Sequence, residues 1–326
     1  GANDKMKIGI LTFTEGYNYG NKLQNYALLT YLKNNFSCEV KTVNNCIAQG
    51  SKLSKAILLL KWSVPSKKHY MYWKRLVRFK EFNKEYLNFT KEKLTNSSRK
   101  FTEVDCLVCG SDQIWNVTAK DCDPIFFLPG KQSYKKIAYA ASVNTATYNE
   151  DVCDDQLRKN ILDFDYISIR EHSGAKKISH FLNTDKQVKV QPDPSLLQTK
   201  EVFAAIASKR IVEKPYIFTI RTAQKVSKLL EKPVYTVLVC RSATQIAKLK
   251  ESGIRIIRDK NRPEDFLSFV MNSDLVLSDS FHGTAFSIIF EKKFFSVNDY
   301  INGEYVDDER IRNILGELGI PERYIK

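Results

Sequence analysis

Short apolar runs typical of buried strands alternate with amphipathic segments along most of this chain. In the first half the predicted strands are Ile8–Phe13, Glu39–Val43, Val104–Cys109, Ile137–Ala141 and Tyr166–Ile169. In the second half they are Tyr216–Ile220, Tyr235–Cys240, Ile254–Arg258, Asp274–Leu277 and, as the last one, Phe294–Val297. Apolar residues at helical spacing predict helices at Leu23–Asn34, Pro263–Asn272, Thr284–Phe290 and Glu309–Leu318.

This order of elements predicts the fold class. Strands that alternate with helices form parallel sheets, and ligands bind at the carboxyl ends of such strands. At roughly 150 residues per domain, a chain of 326 residues favours two domains. The proline-containing segment Lys186–Gln198 is the predicted start of the linker. We therefore expect an α/β protein with two Rossmann-like domains facing a cleft, over residues 1–200 and 201–326, with a basic helical insertion at about 51–100.

The composition is that of a globular intracellular protein. Apolar residues make up 43% of the chain and charged residues 27%, which allows a core in each half and excludes general disorder. No apolar stretch approaches the roughly 20 residues of a membrane span, and the apolar N-terminal run is too short for a signal peptide. The seven cysteines are an odd number and are scattered. They argue against a disulfide framework and for the reducing conditions of the cytoplasm.

Two motifs raise the question of a metal. Cys106 and Cys109 form a C-x-x-C inside a predicted strand, which would point them to opposite faces. No second C-x-x-C completes a zinc site, so we interpret them as buried thiols, with metal or redox chemistry as the alternative. Asp121 and Asp123 form a D-x-D, which holds a metal in one class of glycosyltransferases. Because Pro124 follows at once and no apolar strand precedes, we predict no metal.

The net charge of +14 is concentrated in one segment. Residues 51–100 contain 14 Lys or Arg and 3 Glu, a net +11, interleaved with eight aromatic residues. The plain interpretation is a pair of amphipathic helices that bury the aromatic rings and solvate the lysines. The alternative is a patch for anionic lipid at the inner face of the membrane, or for acidic glycans. The chain has no helix-turn-helix, zinc-finger or RNP-like motif to support binding of nucleic acid.

The strongest candidate for an active centre is the loop Ser278–Gly283, between a predicted strand and a predicted helix. Backbone N–H groups at the start of a helix favour an anion, and Ser278, Ser280 and Thr284 add hydroxyl groups. His282 can exchange a proton near neutral pH. The alternative is a capped helix with a structural histidine.

A glycine-rich turn, Gly16–Lys22, directly follows the first predicted strand. It matches neither the Walker A loop nor G-x-G-x-x-G. Its neighbourhood offers Asn18, Asn21 and Gln24 as hydrogen-bonding partners for a hydroxylated ligand. The alternative is a plain tight turn.

Two further strand ends carry candidate residues. Arg170, at the exit of a buried strand, is placed to bind a carboxylate or phosphate bidentately, with a surface pair to Glu171 as the alternative. The segment Gly110–Asn116 offers polar groups and an aromatic plate that suit a sugar, with helix capping as the alternative. The candidate sugar contacts in it are Asp112, Gln113 and Trp115.

Taken together, these motifs resemble the polysaccharide pyruvyl transferase family. The resemblance runs from residue 16 to residue 283 and rests on six segments in order. They are Gly16–Leu28, Gly110–Asn116, Ala138–Ser142, Ser168–Glu171, Pro192–Pro194 and Ser278–Gly283.

The resemblance implies a fold similar to GT-B glycosyltransferases and an intracellular enzyme of surface polysaccharide biosynthesis. Such an enzyme transfers the enolpyruvyl unit of phosphoenolpyruvate (PEP) onto two sugar hydroxyls as a cyclic ketal, without a metal or organic cofactor. The family histidine falls on His282 and the family arginine on Arg170. For the family lysine after the histidine, Lys293 comes too early and Arg310 lies in about the right region.

The chemistry agrees with this implication. PEP carries a phosphate and a carboxylate, for which an arginine and a helix N-terminus form a suitable cradle. One histidine can protonate the methylene carbon and deprotonate a sugar hydroxyl. The predicted donor contacts are Ser278, Ser280, Gly283, Thr284 and Arg310, and the predicted acceptor contacts are Asn18, Asn21, Gln24, Asp112, Gln113 and Trp115. A lipid-linked sugar or repeat unit is the expected acceptor. The alternatives are a GT-B glycosyltransferase with a nucleotide-sugar donor and a non-catalytic module that binds glycans or membranes.

Overall fold

The computed structural model describes residues 5–45, 67–96, 101–119, 122–130, 132–145, 148–220, 233–237, 247, 250–251, 253–257, 259–301 and 304–325. Much of the basic segment, residues 51–66 and 97–100, therefore lies outside the described residues, and so does Asp121. The chain divides into two compact units, residues 1–197 and 198–326.

The N-terminal unit is built on a seven-stranded sheet in the order β3-β2-β1-β4-β5-β6-β7. The strands are β1 (Met6–Leu11), β2 (Cys38–Asn45), β3 (Phe89–Leu94), β4 (Cys106–Cys109), β5 (Lys135–Ala141), β6 (Tyr166–Ile169) and β7 (Lys189–Val190). Every pairing is parallel. Strands β2 and β3 lie on one side of β1, and β4 to β7 lie on the other side. The gap between β1 and β4 is therefore the switch point where ligands bind in such sheets.

Among the described residues of this unit, four helices accompany the sheet: α1 (Tyr19–Asn35), α2 (Lys67–Tyr86), α3 (Asp155–Leu162) and α4 (His172–Leu182). Short 3-10 turns lie at Pro124–Phe127, Glu150–Val152 and Pro194–Leu197. The central strands are apolar on both sides, because each face is covered. Ile8 and Ile10 pack with Leu28 of α1 on one face, while Leu11 and Leu107 belong to a larger cluster on the other.

The positions of Cys106 and Cys109 confirm the prediction that they point to opposite faces of a strand. Cys106 belongs to the apolar cluster on the α1 face, and Cys109 belongs to the cluster on the opposite face. Burial raises the pKa of the Cys106 thiol to about 11 and that of Cys109 well above its ordinary value. Both are free cysteines, so at neutral pH they are buried, protonated thiols. In the described part of the chain no group of three or more His, Cys, Asp or Glu residues is placed to hold a metal ion.

The C-terminal unit has a six-stranded parallel sheet in the order β10-β9-β8-β11-β12-β15 and a separate antiparallel pair, β13-β14. Its strands are β8 (Ile217–Ile220), β9 (Val234–Val237), β10 (Arg255–Ile257), β11 (Leu275–Ser278), β12 (Phe294–Val297), β13 (Asp299–Ile301), β14 (Glu304–Val306) and β15 (Tyr324–Ile325). The helices that the structure describes in this unit are α5 (Lys200–Ala204), α6 (Pro263–Asn272), α7 (Phe281–Ile289) and α8 (Glu309–Glu317), with a 3-10 turn at Pro321–Arg323.

Buried aromatic rings form the core on one face of this second sheet. Phe218 of β8 stacks on Phe269 of α6 at 5.3 Å between ring centroids. Phe286 of α7 meets Phe266 at 5.9 Å and Phe203 of α5 at 4.9 Å, both edge to face. Such arrangements contribute beyond the area they bury. They fix α7, whose first turn carries His282, against the sheet.

The structure corrects several predicted boundaries. α1 begins at Tyr19, four residues before the predicted Leu23, because the Asn18 side chain caps it by accepting from the N–H of Asn21. Half of the expected glycine-rich turn is therefore helix. α7 begins at Phe281 instead of Thr284, and β12 is not the last strand. Among the described residues, no helix has the length and apolarity of a membrane span.

Candidate active site

The connection between β11 and α7 places His282 in the first turn of α7, at the carboxyl edge of the second sheet. Ser280 is the N-cap residue, and its Oγ accepts from the N–H of Gly283 at 3.0 Å. Thr284 Oγ1 donates to the carbonyl oxygen of Ser280 at 3.1 Å. Ser278 Oγ accepts from the N–H of Ser280 at 3.1 Å and donates to its carbonyl oxygen at 3.0 Å. These hydrogen bonds fix the backbone that carries the imidazole.

The same hydrogen bonds correct part of the predicted donor site. Ser278 and Thr284 are fully buried, and Thr284 Oγ1 lies 2.6 Å from Ser296 Oγ. Their hydroxyl groups shape the loop from inside and are not presented to a ligand. Ser280 is only half-buried, so of the predicted hydroxyl contacts it alone lies near the surface of the loop.

Position 283 requires a glycine because neighbouring side chains pack directly against its α-carbon. A Cβ added there would fall on Ser278 Oγ and would lie 2.5 Å from Ile220 Cδ1 and 2.9 Å from Ser280 Oγ. Gly283 thereby lets the serine turn close beneath His282.

We expect Gly283→Ala to lower the free energy of unfolding by about 1–3 kcal/mol, the usual cost of overpacking, and to lower turnover by displacing the turn. Urea unfolding and steady-state kinetics measure the two effects. Gly316→Ala is the matched control, because a Cβ at Gly316 meets nothing within 4 Å and alanine is the better helix former. Equal stability of the two variants would show that the turn is not packed as described.

Among the basic residues that the structure describes, Arg310 lies beside the His282 turn. Its guanidinium lies 5.6 Å from the centroid of the Phe281 ring, which in turn meets the His282 ring edge to face at 5.3 Å. Lys293, the other sequence candidate, directly precedes β12 and so lies at the opposite, amino edge of this parallel sheet. Of the two sequence candidates, Arg310 is therefore the one that lies beside the His282 turn.

Asp308 holds Arg310 in place. Arg310 donates through Nε to Asp308 Oδ1 at 2.9 Å and through Nη2 to Oδ2 at 2.7 Å. Burial alone would raise the pKa of Asp308, but the charge and hydrogen bonds of Arg310 outweigh it, so the pKa is lowered. Asp308 is therefore a carboxylate at neutral pH, and it caps α8 by accepting from the N–H of Arg310. This pairing engages one edge of the planar guanidinium.

Arg170 occupies a different environment from the one predicted. Its side chain is 3% exposed, and its Nη2 lies 2.8 Å from Oδ2 of Asp193, which is 0% exposed. The same Nη2 donates to Ser111 Oγ at 2.6 Å. Glu171 is buried too and accepts from Ser142 Oγ, so the predicted surface pair is wrong. Arg170 thus joins three strand-end segments of the N-terminal unit through Ser111 and Asp193.

Gln24, predicted to contact the acceptor, fills the switch point of the first sheet instead. It is fully buried; its Nε2 donates to Thr12 Oγ1 at 3.0 Å, and its Oε1 accepts from the N–H of Ser111 at 3.1 Å. It therefore bridges the ends of β1 and β4. Between β4 and Ser111, Gly110 permits the close approach of this strand end to Tyr139, because it has φ +132° and an added Cβ would collide with the carbonyl oxygen of Tyr139.

The remaining acceptor candidates separate into two groups. Trp115 is 1% exposed, donates its indole N–H to the Phe126 carbonyl at 3.0 Å and stacks on Phe127, so it is a core residue and not a sugar plate. Asp112 is buried and accepts from the N–H of Gln113 at 2.7 Å. By contrast, the surface of the N-terminal unit carries three candidates: Asn18, Asn21 and Gln113.

Two basic residues that sequence reasoning missed support the glycine-rich turn from inside. Lys22 is buried and donates through Nζ to the carbonyl oxygen of Thr14. Burial lowers the pKa of Lys22 to about 8, against the opposing effect of Glu15. Arg75 of α2 donates to the carbonyl oxygen of Tyr17 at 3.2 Å and lies 4.5 Å from the Tyr17 ring centroid. The sequence signal for Lys22 was Asn18. As the N-cap of α1, it places Lys22 in the first turn of that helix.

Comparisons with known proteins agree with the predicted family and fold class. A model of the polysaccharide pyruvyl transferase family matches residues 18–299. No curated protein sequence matches the chain significantly. The structure is similar to UDP-GlcNAc 2-epimerase from Methanocaldococcus jannaschii, with 11% identity, a TM-score of 0.50 and coverage of 98% of this chain and 88% of that one. It also matches the E. coli heptosyltransferase WaaC, with 11% identity, a TM-score of 0.41 and coverage of 96% and 100%. The likeness to the epimerase shows the fold alone, and it confirms the prediction of Rossmann-like units of the GT-B type.

Proposed function

The chain belongs to the polysaccharide pyruvyl transferase family, and from that premise we propose that it transfers the enolpyruvyl unit of PEP onto two hydroxyl groups of a sugar. The observation that carries this proposal is the His282 turn, where a proton-exchanging imidazole, the N-terminus of α7 and the guanidinium of Arg310 lie together. A phosphate and a carboxylate need such cations and N–H donors, and the transfer itself needs a group that moves protons.

His282 serves both proton transfers in this proposal. As an imidazolium it gives its proton to the methylene carbon of PEP, which becomes the methyl group, while a sugar hydroxyl oxygen bonds to C2. The imidazole then takes the proton from that hydroxyl. The C2–O bond to phosphate breaks, the second hydroxyl oxygen bonds to C2, and its proton leaves with inorganic phosphate. One hydroxyl proton is thereby balanced by the new methyl hydrogen and the other by the released phosphate.

The remaining residues of the turn bind and orient the donor. Arg310 neutralises the phosphate as it leaves, with Asp308 fixing the plane of the guanidinium. Ser280, half-buried at the helix cap, borders the same anion position. On the N-terminal unit we propose Asn18, Asn21 and Gln113 as acceptor contacts, because they are the candidates at its surface. Arg170 is reassigned as a positioning residue of that unit.

Arg310 also provides a test of the donor. PEP should raise the melting temperature of the wild-type protein, since a ligand stabilises the state it binds, whereas UDP-sugars should not. A hydrogen bond to a charged group contributes about 1.5–3 kcal/mol, so Arg310→Gln should weaken PEP binding roughly 10- to 150-fold. Thermal shift titrations with PEP measure this.

The control is Arg312→Gln, two residues further along α8, whose guanidinium is half-exposed and pairs with Asp307. It should bind PEP as the wild type does. Stabilisation by a UDP-sugar and not by PEP would instead support a nucleotide-sugar glycosyltransferase. Unchanged PEP affinity in Arg310→Gln would move the anion site away from this turn.

A further inference from the structure

Helix α2 concentrates positive charge at its N-terminal end. Six of its first fourteen residues, from Lys67 to Lys80, are Lys or Arg, and none is acidic. The first acidic residue of the helix is Glu81. A helix that needed only to be solvated would gain from charges of both signs at i,i+4 spacing, and this one lacks them over its first fourteen residues.

The inner face of α2 packs on α1. Phe79 and Phe82 are almost fully buried; the Phe79 ring lies 5.3 Å from that of Tyr19, and the Phe82 ring lies 6.5 Å from that of Tyr26. These contacts confirm that part of the aromatic residues of the basic segment are buried, as the plain interpretation of the sequence expects.

The outer face does not follow that interpretation. Tyr70 is 52% exposed and Trp73 is 53% exposed, three residues apart and hence on one face of the helix. The Lys74 ammonium lies 4.7 Å from the Tyr70 ring centroid, and Lys80 and Lys84, at i+7 and i+11 from Trp73, are exposed. Tyrosine and tryptophan beside lysines are the composition of a surface that rests at the bilayer interface, with rings at the headgroup level.

We propose that this outer face of α2, made of Tyr70, Trp73, Lys74, Lys80 and Lys84, docks on an anionic lipid bilayer. The charge complements anionic headgroups, and salt screens such attraction. The aromatic rings add a contact beyond charge, because they can enter the apolar layer that lies beneath the charged headgroups of a bilayer.

Arg75 links α2 to the turn that carries two of the proposed acceptor contacts. It lies on the buried side of α2, 3% exposed, so it takes no part in lipid contact. Its hydrogen bond to the Tyr17 carbonyl and its contact with the Tyr17 ring fasten α2 to the turn that precedes Asn18 and Asn21. Given the proposed function, docking would hold that turn at the membrane surface, which suits an acceptor carried on a lipid.

Vesicle co-sedimentation tests the docking. The protein should bind vesicles of phosphatidylglycerol and phosphatidylcholine at low salt, should be released as salt rises, and should not bind phosphatidylcholine alone. Tyr70→Ala/Trp73→Ala and Lys80→Gln/Lys84→Gln should each lower the partition coefficient at least about tenfold. The matched controls are Phe36→Ala, at an exposed ring (56%) just beyond α1, and Lys159→Gln/Lys176→Gln, at exposed lysines of α3 and α4. Both should bind as the wild type does.

The proposal is overturned if the wild type stays in the supernatant with anionic vesicles at low salt, or if the α2 variants bind as well as the controls. Transfer to a lipid-free acceptor should be unchanged in the α2 variants, so failure of docking and failure of the proposed reaction are separate results. With an acceptor embedded in vesicles, the wild type should work faster on anionic than on neutral membranes. The Tyr70→Ala/Trp73→Ala variant should lose that difference.

Discussion

Replacing His282 with alanine should lower turnover roughly 10²–10⁴-fold, the usual contribution of a general acid–base group, while the protein stays folded. The fold should survive because hydrogen bonds of Ser278, Ser280 and Thr284 hold the turn. Alanine also has the highest helix propensity, so it should be accepted in α7. Steady-state assays and thermal unfolding, run on the same preparations, measure the two quantities.

His180→Ala is the matched control for this variant. His180 lies exposed in the last turn of α4 and should be replaceable without loss of activity. Near-normal turnover in a well-folded His282→Ala protein would remove the proton-transfer role from this residue. Equal losses in both variants would point to a general effect of histidine removal and not to the site.

Replacing Arg170 with methionine should act on stability before it acts on chemistry. It would leave the carboxylate of Asp193, which is 0% exposed, buried without its cation. Breaking a buried ion pair from one side costs about 3–5 kcal/mol, so the urea midpoint should fall steeply. Replacing Asp193 with asparagine as well should recover part of that loss, since the double variant buries no charge at this pair.

An exposed ion pair provides the comparison. Lys200→Met breaks the contact of Lys200 with Glu291, whose side chains are 45% and 73% exposed, and it should leave the midpoint nearly unchanged. If Arg170→Met keeps its stability but loses affinity for PEP, Arg170 is a ligand contact after all, and its buried network with Asp193 and Ser111 is not the reason for its place at the end of β6.

Elements with strong apolar patterns were predictable from sequence. The central strands β1, β4, β5, β6 and β11 are buried on both faces, so their runs of apolar residues stand out, and all of them lie where the pattern places them. The two edge strands of the first sheet, β3 and β7, were missed for the opposite reason. β3 reads Phe-Thr-Lys-Glu-Lys-Leu and β7 has only two residues, so neither carries a run that differs from a loop.

The site was predictable only in part, because a sequence shows which residue type ends a strand but not what fills the space beside it. The turn with His282 and the capping serine followed from local order along the chain. The burial of Arg170 depends on Asp193, which is 23 residues further along, and the burial of Trp115 depends on Phe126 and Phe127. These partners come from separate segments, so an exposed role and a buried role look the same in the sequence.

The measurement that tests the proposed reaction most directly is the fate of PEP in the presence of sugar acceptors. The wild-type protein, given PEP and a panel of free and lipid-linked sugars, should release inorganic phosphate in step with an acceptor product that has gained one pyruvyl ketal. His282→Ala should release almost none, and omitting the sugar should stop the release. The opposite result, in which PEP stays intact with every acceptor while a nucleotide sugar is consumed, would contradict the proposal that this protein is a PEP-dependent ketalpyruvyltransferase.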